Sequence, residues 1–209
     1  MRRCKIGHNL PSADKWGVTV WGYEGWTNID TLRRVVFYDC TFYDMPSRKN
    51  KRLLWDQVTF SGVTDVLLER CVFQNINMIY FMMCHHVTMR NCILEKANRI
   101  TVDGGEDYEF ENLTGGELDY IHLHGCEKGP VKGVVISGGA IRVQGYAWTK
   151  DVVVEGLSIY GKKAMPIKHY SEGTFVKFCY SREYNLGLSR AKGVELSDRL
   201  SCSSFDTCK

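Results

Sequence analysis

Little in this chain points to a helix. No apolar spacing of three and four residues is sustained over ten positions. Only 4 prolines stand beside 20 glycines and many β-branched and aromatic residues, a balance that favours strands joined by turns. No apolar run approaches the roughly 18 residues that a membrane-spanning helix needs, so no membrane partner is expected. The start, Met1-Arg-Arg-Cys-Lys-Ile-Gly-His8, is basic but lacks the apolar stretch of a secretory signal. Synthesis in the cytoplasm without the standard export route is therefore expected. Charge of one sign is missing too: 27 basic residues against 24 acidic ones leave a net +3. That is too little for nucleic-acid binding to follow from charge. A Gly-rich phosphate loop followed by a helix, a nucleophile elbow and a Cys-x-x-Cys pair are all absent, which argues against a nucleotide-dependent enzyme or a zinc finger. No cofactor is called for.

What is present is self-similarity. Val35-Val-Phe-Tyr-Asp-Cys-Thr-Phe42, Val66-Leu-Leu-Glu-Arg-Cys-Val-Phe73 and Val87-Thr-Met-Arg-Asn-Cys-Ile-Leu94 share one pattern, apolar-x-apolar-x-polar-Cys-x-apolar. Tyr108-Glu-Phe-Glu-Asn-Leu113, Val134-Val-Ile-Ser-Gly-Gly139 and Val152-Val-Val-Glu-Gly-Leu157 follow it with the cysteine replaced. Period-two alternation marks strands with one buried face. Recurrence about every 20 residues marks a solenoid in which neighbouring coils bury each other's apolar face. Of the 9 cysteines, Cys40, Cys71 and Cys92 then form a column of small buried thiols, with equivalent positions about 4.8 Å apart. Cys202 and Cys208 are the one pair placed to bridge or to hold a metal. Two cysteines do not make a zinc site, and a free tail is expected there.

A second set of alternating segments lies between these strands: Met78–Met82, Arg99–Asp103, Tyr120–His124, Ile141–Gln144 and Pro166–Tyr170. Two strands per coil are expected, with corners such as Gln74-Asn75 and Ala97-Asn98. A β-sandwich would want two-residue hairpin turns, and Asp103-Gly104 is the one dipeptide of that type. The expected fold is all-β, a right-handed parallel β-helix of about seven coils. Residues 1–30 are expected as an irregular N-terminal cap, 31–198 as the solenoid and 199–209 as a tail.

Segments such as His86-Val-Thr-Met-Arg-Asn-Cys-Ile-Leu94 and Asp151-Val-Val-Val-Glu-Gly-Leu-Ser-Ile159 resemble coils of the pectin-lyase-like superfamily. That superfamily holds pectate lyases, polygalacturonases and many phage tail-spike proteins. The resemblance spans roughly residues 33 to 180 and implies the architecture.

On the second strand set, Ile100, Val102, Ile121, Leu123, Ile141, Val143 and Ile167 should point inward. Stacking then puts Thr101, His122, Arg142 and Lys168 in one outward column, and Asp103, His124, Gln144 and Tyr170 in the next. The resemblance implies Asp103 as general acid or base, His122 or His124 as proton shuttle, and Arg142 with Lys168 as clamps on an acidic sugar. Tyr146 and Trp148, on the following loop, would offer a sugar-stacking platform. The chain departs from the superfamily's enzymes in having no paired-aspartate motif and no cluster of calcium-binding carboxylates. Glu106, Asp107 and Asp119 fall at corners. The His85-His86 pair, next to Cys84, reads as a solvated corner, and the basic run 48–52 as a solvated loop. Part of the Met78, Tyr80, Phe81, Met82 and Met83 cluster reads as core and part as an exposed patch.

The expected function is a non-enzymatic recognition or structural β-helix of phage or viral type. It would bind a glycan or a host or virion protein, a homotrimer would suit it, and it would be associated with a virion. The alternative is a polysaccharide lyase or glycosidase acting on an acidic polysaccharide.

Overall fold

The computed structural model describes residues 1–7, 18–22, 32–45, 58–116, 120–125, 129–145, 149–155, 167–168, 172–177, 188–189 and 195–196. The chain is a parallel β-helix: each strand pairs in parallel with its counterpart one coil away. Described coils carry three strands, not the expected two, so three ladders run along the axis. The first holds Val18–Trp21, Val58–Ser61, the starts of Ile79–Arg90 and Arg99–Gly115, then Tyr120–His124 and Arg142–Gly145. The second runs from Leu32–Tyr38 through Val63–Glu69, 84–90, 105–111, Val131–Ala140, Thr149–Glu155 and Glu172–Lys177 to Glu195–Leu196. The third stacks Lys5–Gly7, Thr41–Met45, Val72–Ile76 and Ile93–Glu95. Lys5–Gly7 and Val18–Trp21 are thus regular rungs inside the stretch expected as an irregular cap. Cys202 and Cys208 lie outside the described residues.

The repeat is in register as the pattern predicts. Val35, Val66, Val87, Tyr108, Val134 and Val152 are successive partners on the second ladder. Inward positions stack like on like. Phe42 lies on Phe73 with ring centroids 4.9 Å apart, and Phe60 on Phe81 at 5.2 Å. All four are fully buried. Fully burying one such side chain is worth about 1.5–3 kcal/mol, so these columns carry the stability of the rod.

The thiol column exists and is one rung longer than expected, because Cys4 precedes Lys5 just as Cys40 precedes its partner Thr41. Cys40, Cys71 and Cys92 are buried, and all four thiols are free. The Cys71 N–H donates to Cys92 Sγ at 3.4 Å, and the Cys71 thiol faces the carbonyls of Phe37 and Glu69.

The corner before this column turns on one left-handed residue per coil: Arg3, Asp39, Arg70, Asn91, Asn112 and Gly138 all have φ between 52° and 59°. Asp, Asn and Gly enter that region readily, whereas Arg does so at a greater cost. At Arg70 a paired guanidinium offsets the cost: it bonds Asp39 at 2.7 and 2.9 Å and lies 4.2 Å from the Tyr38 ring centroid. Glu69 beside it accepts from Arg90 at 2.6 and 2.9 Å and from the Tyr38 hydroxyl at 3.0 Å. Hydrogen bonds from Arg70 and Arg90 hold the Asp39 and Glu69 carboxyls below the usual range. These pairs stitch three successive coils on the outside of the second ladder.

Candidate functional site

Outward residues of the first ladder make the candidate face, because strand alternation sends them away from the buried Ile100, Val102, Ile121 and Leu123. Register fixes their columns. Tyr80, Thr101, His122 and Gln144 are consecutive partners, and so are Met82, Asp103 and His124. A third column holds Arg99, Tyr120 and Arg142.

This corrects the expected stacking. Arg142 pairs with Tyr120 rather than His122, and Gln144 pairs with His122 rather than His124. Lys168 pairs with Ser189 in a separate two-stranded sheet, so the pairing does not place it in the His122 column. Tyr146, Trp148, Tyr170, Asp119 and the run 48–52 lie outside the described residues.

Asp103 is the centre. Its Oδ2 accepts from the Tyr80 hydroxyl at 2.7 Å, and its Oδ1 is 3.5 Å from His124 Nδ1. Along the next strand, the rings of Tyr120, His122 and His124 follow one another with centroids 6.4 and 5.8 Å apart. Thr101 is sunk between its larger column partners Tyr80 and His122, with 7% of its surface exposed. Its hydroxyl faces Met78 Sδ at 3.1 Å, and the Arg99 Nε turns to the same sulfur at 3.2 Å. Thr101 is thus covered, and the ring nitrogens of His122 beside it are buried as well, while Asp103, two residues on, keeps part of its carboxylate at the surface. Among the described outward residues of this ladder, Asp103 is the one carboxylate. Glu106 and Asp107 belong elsewhere: they pair with His85 at 3.4 Å and His86 at 3.1 Å. Asp65 approaches the other side of His86 at 3.3 Å, so that corner is a charged stitch between coils.

Burial pushes the His122 imidazole down from its ordinary 6.5 to about 4, helped by Arg99 and His124 and opposed by Asp103. His122 is therefore neutral near pH 7. The unfolded chain takes up a proton below about 6.5 while the folded one does not. Stability drawn from neutral His122 is full above that pH and lost as the pH falls from 6.5 toward 4. Urea midpoints across a pH series should decline in this window for the wild type, and the slope should flatten in His122→Phe. An equal slope in both proteins would remove His122 as its cause.

Tyr80, Arg99 and Tyr120 belong to the face but were not nominated from sequence. Tyr80 falls in the cluster read as part core and part exposed patch, and it shares the outward parity of Thr101. The chain matches no protein-family model, no curated protein and no solved structure in the three comparisons made.

Proposed function

We propose that this protein is a non-enzymatic recognition β-helix that binds a glycan across its first ladder. The observation that carries this reading is the Asp103 carboxylate, fixed by Tyr80 and His124 beside the rings of Tyr120 and His122. A sugar offers pairs of hydroxyl donors and an apolar C–H face, which a held carboxylate and adjacent rings complement. Strands that cannot rearrange keep the ordering cost of binding low.

Calorimetric titration against a panel of neutral and acidic polysaccharide fragments tests it. Losing a charged hydrogen-bond acceptor costs about 1.5–3 kcal/mol. Asp103→Ala should therefore weaken the best ligand by roughly ten-fold or more with an unchanged circular dichroism spectrum. Glu109→Ala, exposed on the second ladder, should leave binding as it was. Equal losses in both variants, or no binding at all, would defeat the proposal.

A polysaccharide lyase or glycosidase is the second reading, favoured by the Asp103–His124 contact, since a carboxylate at Nδ1 orients an imidazole for proton transfer. Inverting hydrolysis wants a second carboxyl some 6.5–9.5 Å away, and none stands among the described outward residues of this ladder. Release of oligosaccharides during the same incubations, lost with His124→Ala, would favour the enzyme over the binding module.

A further inference from the structure

We propose that the first coil carries a sequence-independent site for the phosphodiester backbone of nucleic acid, formed by Arg2, Arg3, Lys5, Arg33 and Arg34. The site lies at the second and third ladders, apart from the face assigned to glycan, and does not rest on that reading.

The small net charge conceals an uneven distribution. Residues 1–57 hold 10 basic and 6 acidic side chains, whereas residues 58–209 hold 17 and 18. Such asymmetry along a chain is a mark of polyanion contact. Arg2, Arg3, Lys5, Arg33 and Arg34 are the described cations of the first stretch, and all five are exposed. Backbone pairing brings them together. Arg2 pairs in parallel with Tyr38, the Arg3 N–H donates to the Tyr38 carbonyl at 2.9 Å, and Lys5 pairs with Thr41. The row thus follows one strand, about 16 Å long from Arg33 to Tyr38, and rounds its corner.

The carboxylates nearby are committed to the next coil. Asp39 accepts from Arg70 at 2.7 and 2.9 Å, and Asp44 from Asn75 at 2.9 Å. Asp65, level with Arg34, lies 3.3 Å from His86. Asp39 attracts Arg2 and Arg3 at longer range, but no described carboxylate forms an ion pair with any of the five. Four of them are guanidiniums, whose planar fork suits phosphate oxygens. Met1 and Val36, the other exposed side chains between them, are apolar. A sugar hydroxyl finds no side-chain acceptor on either, whereas a base can rest on them once its phosphates are held. Contacts of this kind position a backbone and read no sequence.

Fluorescence anisotropy of the full chain with a labelled oligothymidylate of about twenty nucleotides, across a salt series, tests the proposal. Five phosphates engaged on a single strand should weaken binding about a hundred-fold between roughly 50 and 200 mM salt. Arg33→Gln combined with Arg34→Asn removes two cations, and asparagine accepts the left-handed φ of 61° at position 34. That variant should bind more weakly at low salt and lose only about twenty-fold over the same range, with an unchanged circular dichroism spectrum. Lys132→Ala combined with Lys150→Ala, exposed further along the second ladder, should leave affinity and salt dependence as they were. Absence of binding, binding that salt does not weaken, or equal behaviour of the two variants would overturn the proposal. Tighter binding, per unit charge, of heparin or of phosphatidylserine vesicles would assign the row to another class of partner and overturn it as well.

Discussion

Phe81→Ala should cost about 3–5 kcal/mol, the range for deleting a fully buried phenylalanine and leaving its cavity. Phe81 has no exposed surface and stacks on Phe60 at 5.2 Å. Phe110 and Tyr108 stand 6.2 and 6.3 Å away, so the gap opens between coils on both sides of the strand. In a solenoid each coil is stabilised only by its neighbours. A central coil that loses its packing should therefore also uncouple the two ends of the rod. Urea denaturation read by circular dichroism should show a lower midpoint and a shallower slope. Phe81→Leu, which keeps most of the volume, should cost under about 1.5 kcal/mol. A Phe81→Ala loss below about 1 kcal/mol would mean that the stacked ring column is not what holds these coils.

Gly105→Ala should be nearly as damaging, at about 3 kcal/mol or more, for a reason rooted in backbone rather than volume. Gly105 has φ +89°, and a Cβ there would sit 2.1 Å from the Cys84 carbonyl oxygen and 2.5 Å from the Tyr108 hydroxyl. The missing side chain leaves room for that hydroxyl. It donates toward the carbonyls of Cys84 at 3.0 Å and Gly104 at 2.8 Å, and accepts from the Cys84 N–H at 3.2 Å. Alanine adds backbone strain of about 1–3 kcal/mol and displaces a hydroxyl that satisfies buried backbone groups, at about 1–3 kcal/mol. Gly133→Ala is the control. Its φ is +60°, but its Cβ would meet only the tip of Asp107 at 2.9 Å, a side chain that can swing away. It should cost about 1–2 kcal/mol. Thermal unfolding of the two variants should rank them in that order, and equal stabilities would contradict the account of this corner.

The parts legible in the sequence are those where the coil length is constant and alternation is unbroken. Val66, Val87 and Tyr108 recur every 21 residues, so their columns, and Cys71 with Cys92, follow from counting, while Cys40, 31 residues before Cys71, joins them by its matching pattern. The third strand of each coil is hidden because its parity breaks. Phe42 and Met45 both point inward although they are three residues apart, since Asp44 turns left-handed between them with φ 53°. Asn75 does the same between Phe73 and Ile76. A period-two reading takes such a segment for a loop.

The misplacement of Arg142 and Gln144 has another origin. From Ile100 to Ile121 is 21 residues, but from Ile121 its partner Val143 is 22 on, because the stretch from Ile121 to Val134 is five residues longer than that from Ile100 to Tyr108, and the stretch from Val134 to Val143 is four shorter than that from Tyr108 to Ile121. Aligning Ile141 with Ile121 slips the strand by two residues. Such a slip keeps every side chain on its correct face, and alternation cannot detect it. The outward character of Asp103, His122 and His124 was thus readable, while their true neighbours were not. Tyr80 could have been found by carrying the outward parity of Thr101 back 21 residues.

The central claim is that ligand meets the first ladder. The chain carries 6 histidines, and His122 and His124 stand on that face while His85 and His86 stand at a corner against carboxylates. Nuclear magnetic resonance of the imidazole groups during titration with the best-binding oligosaccharide separates the two locations in one sample. The account predicts saturable shifts at His122 and His124, with His85 and His86 unmoved. Saturable shifts at His85 and His86 with His122 and His124 unmoved would place the ligand elsewhere and contradict it.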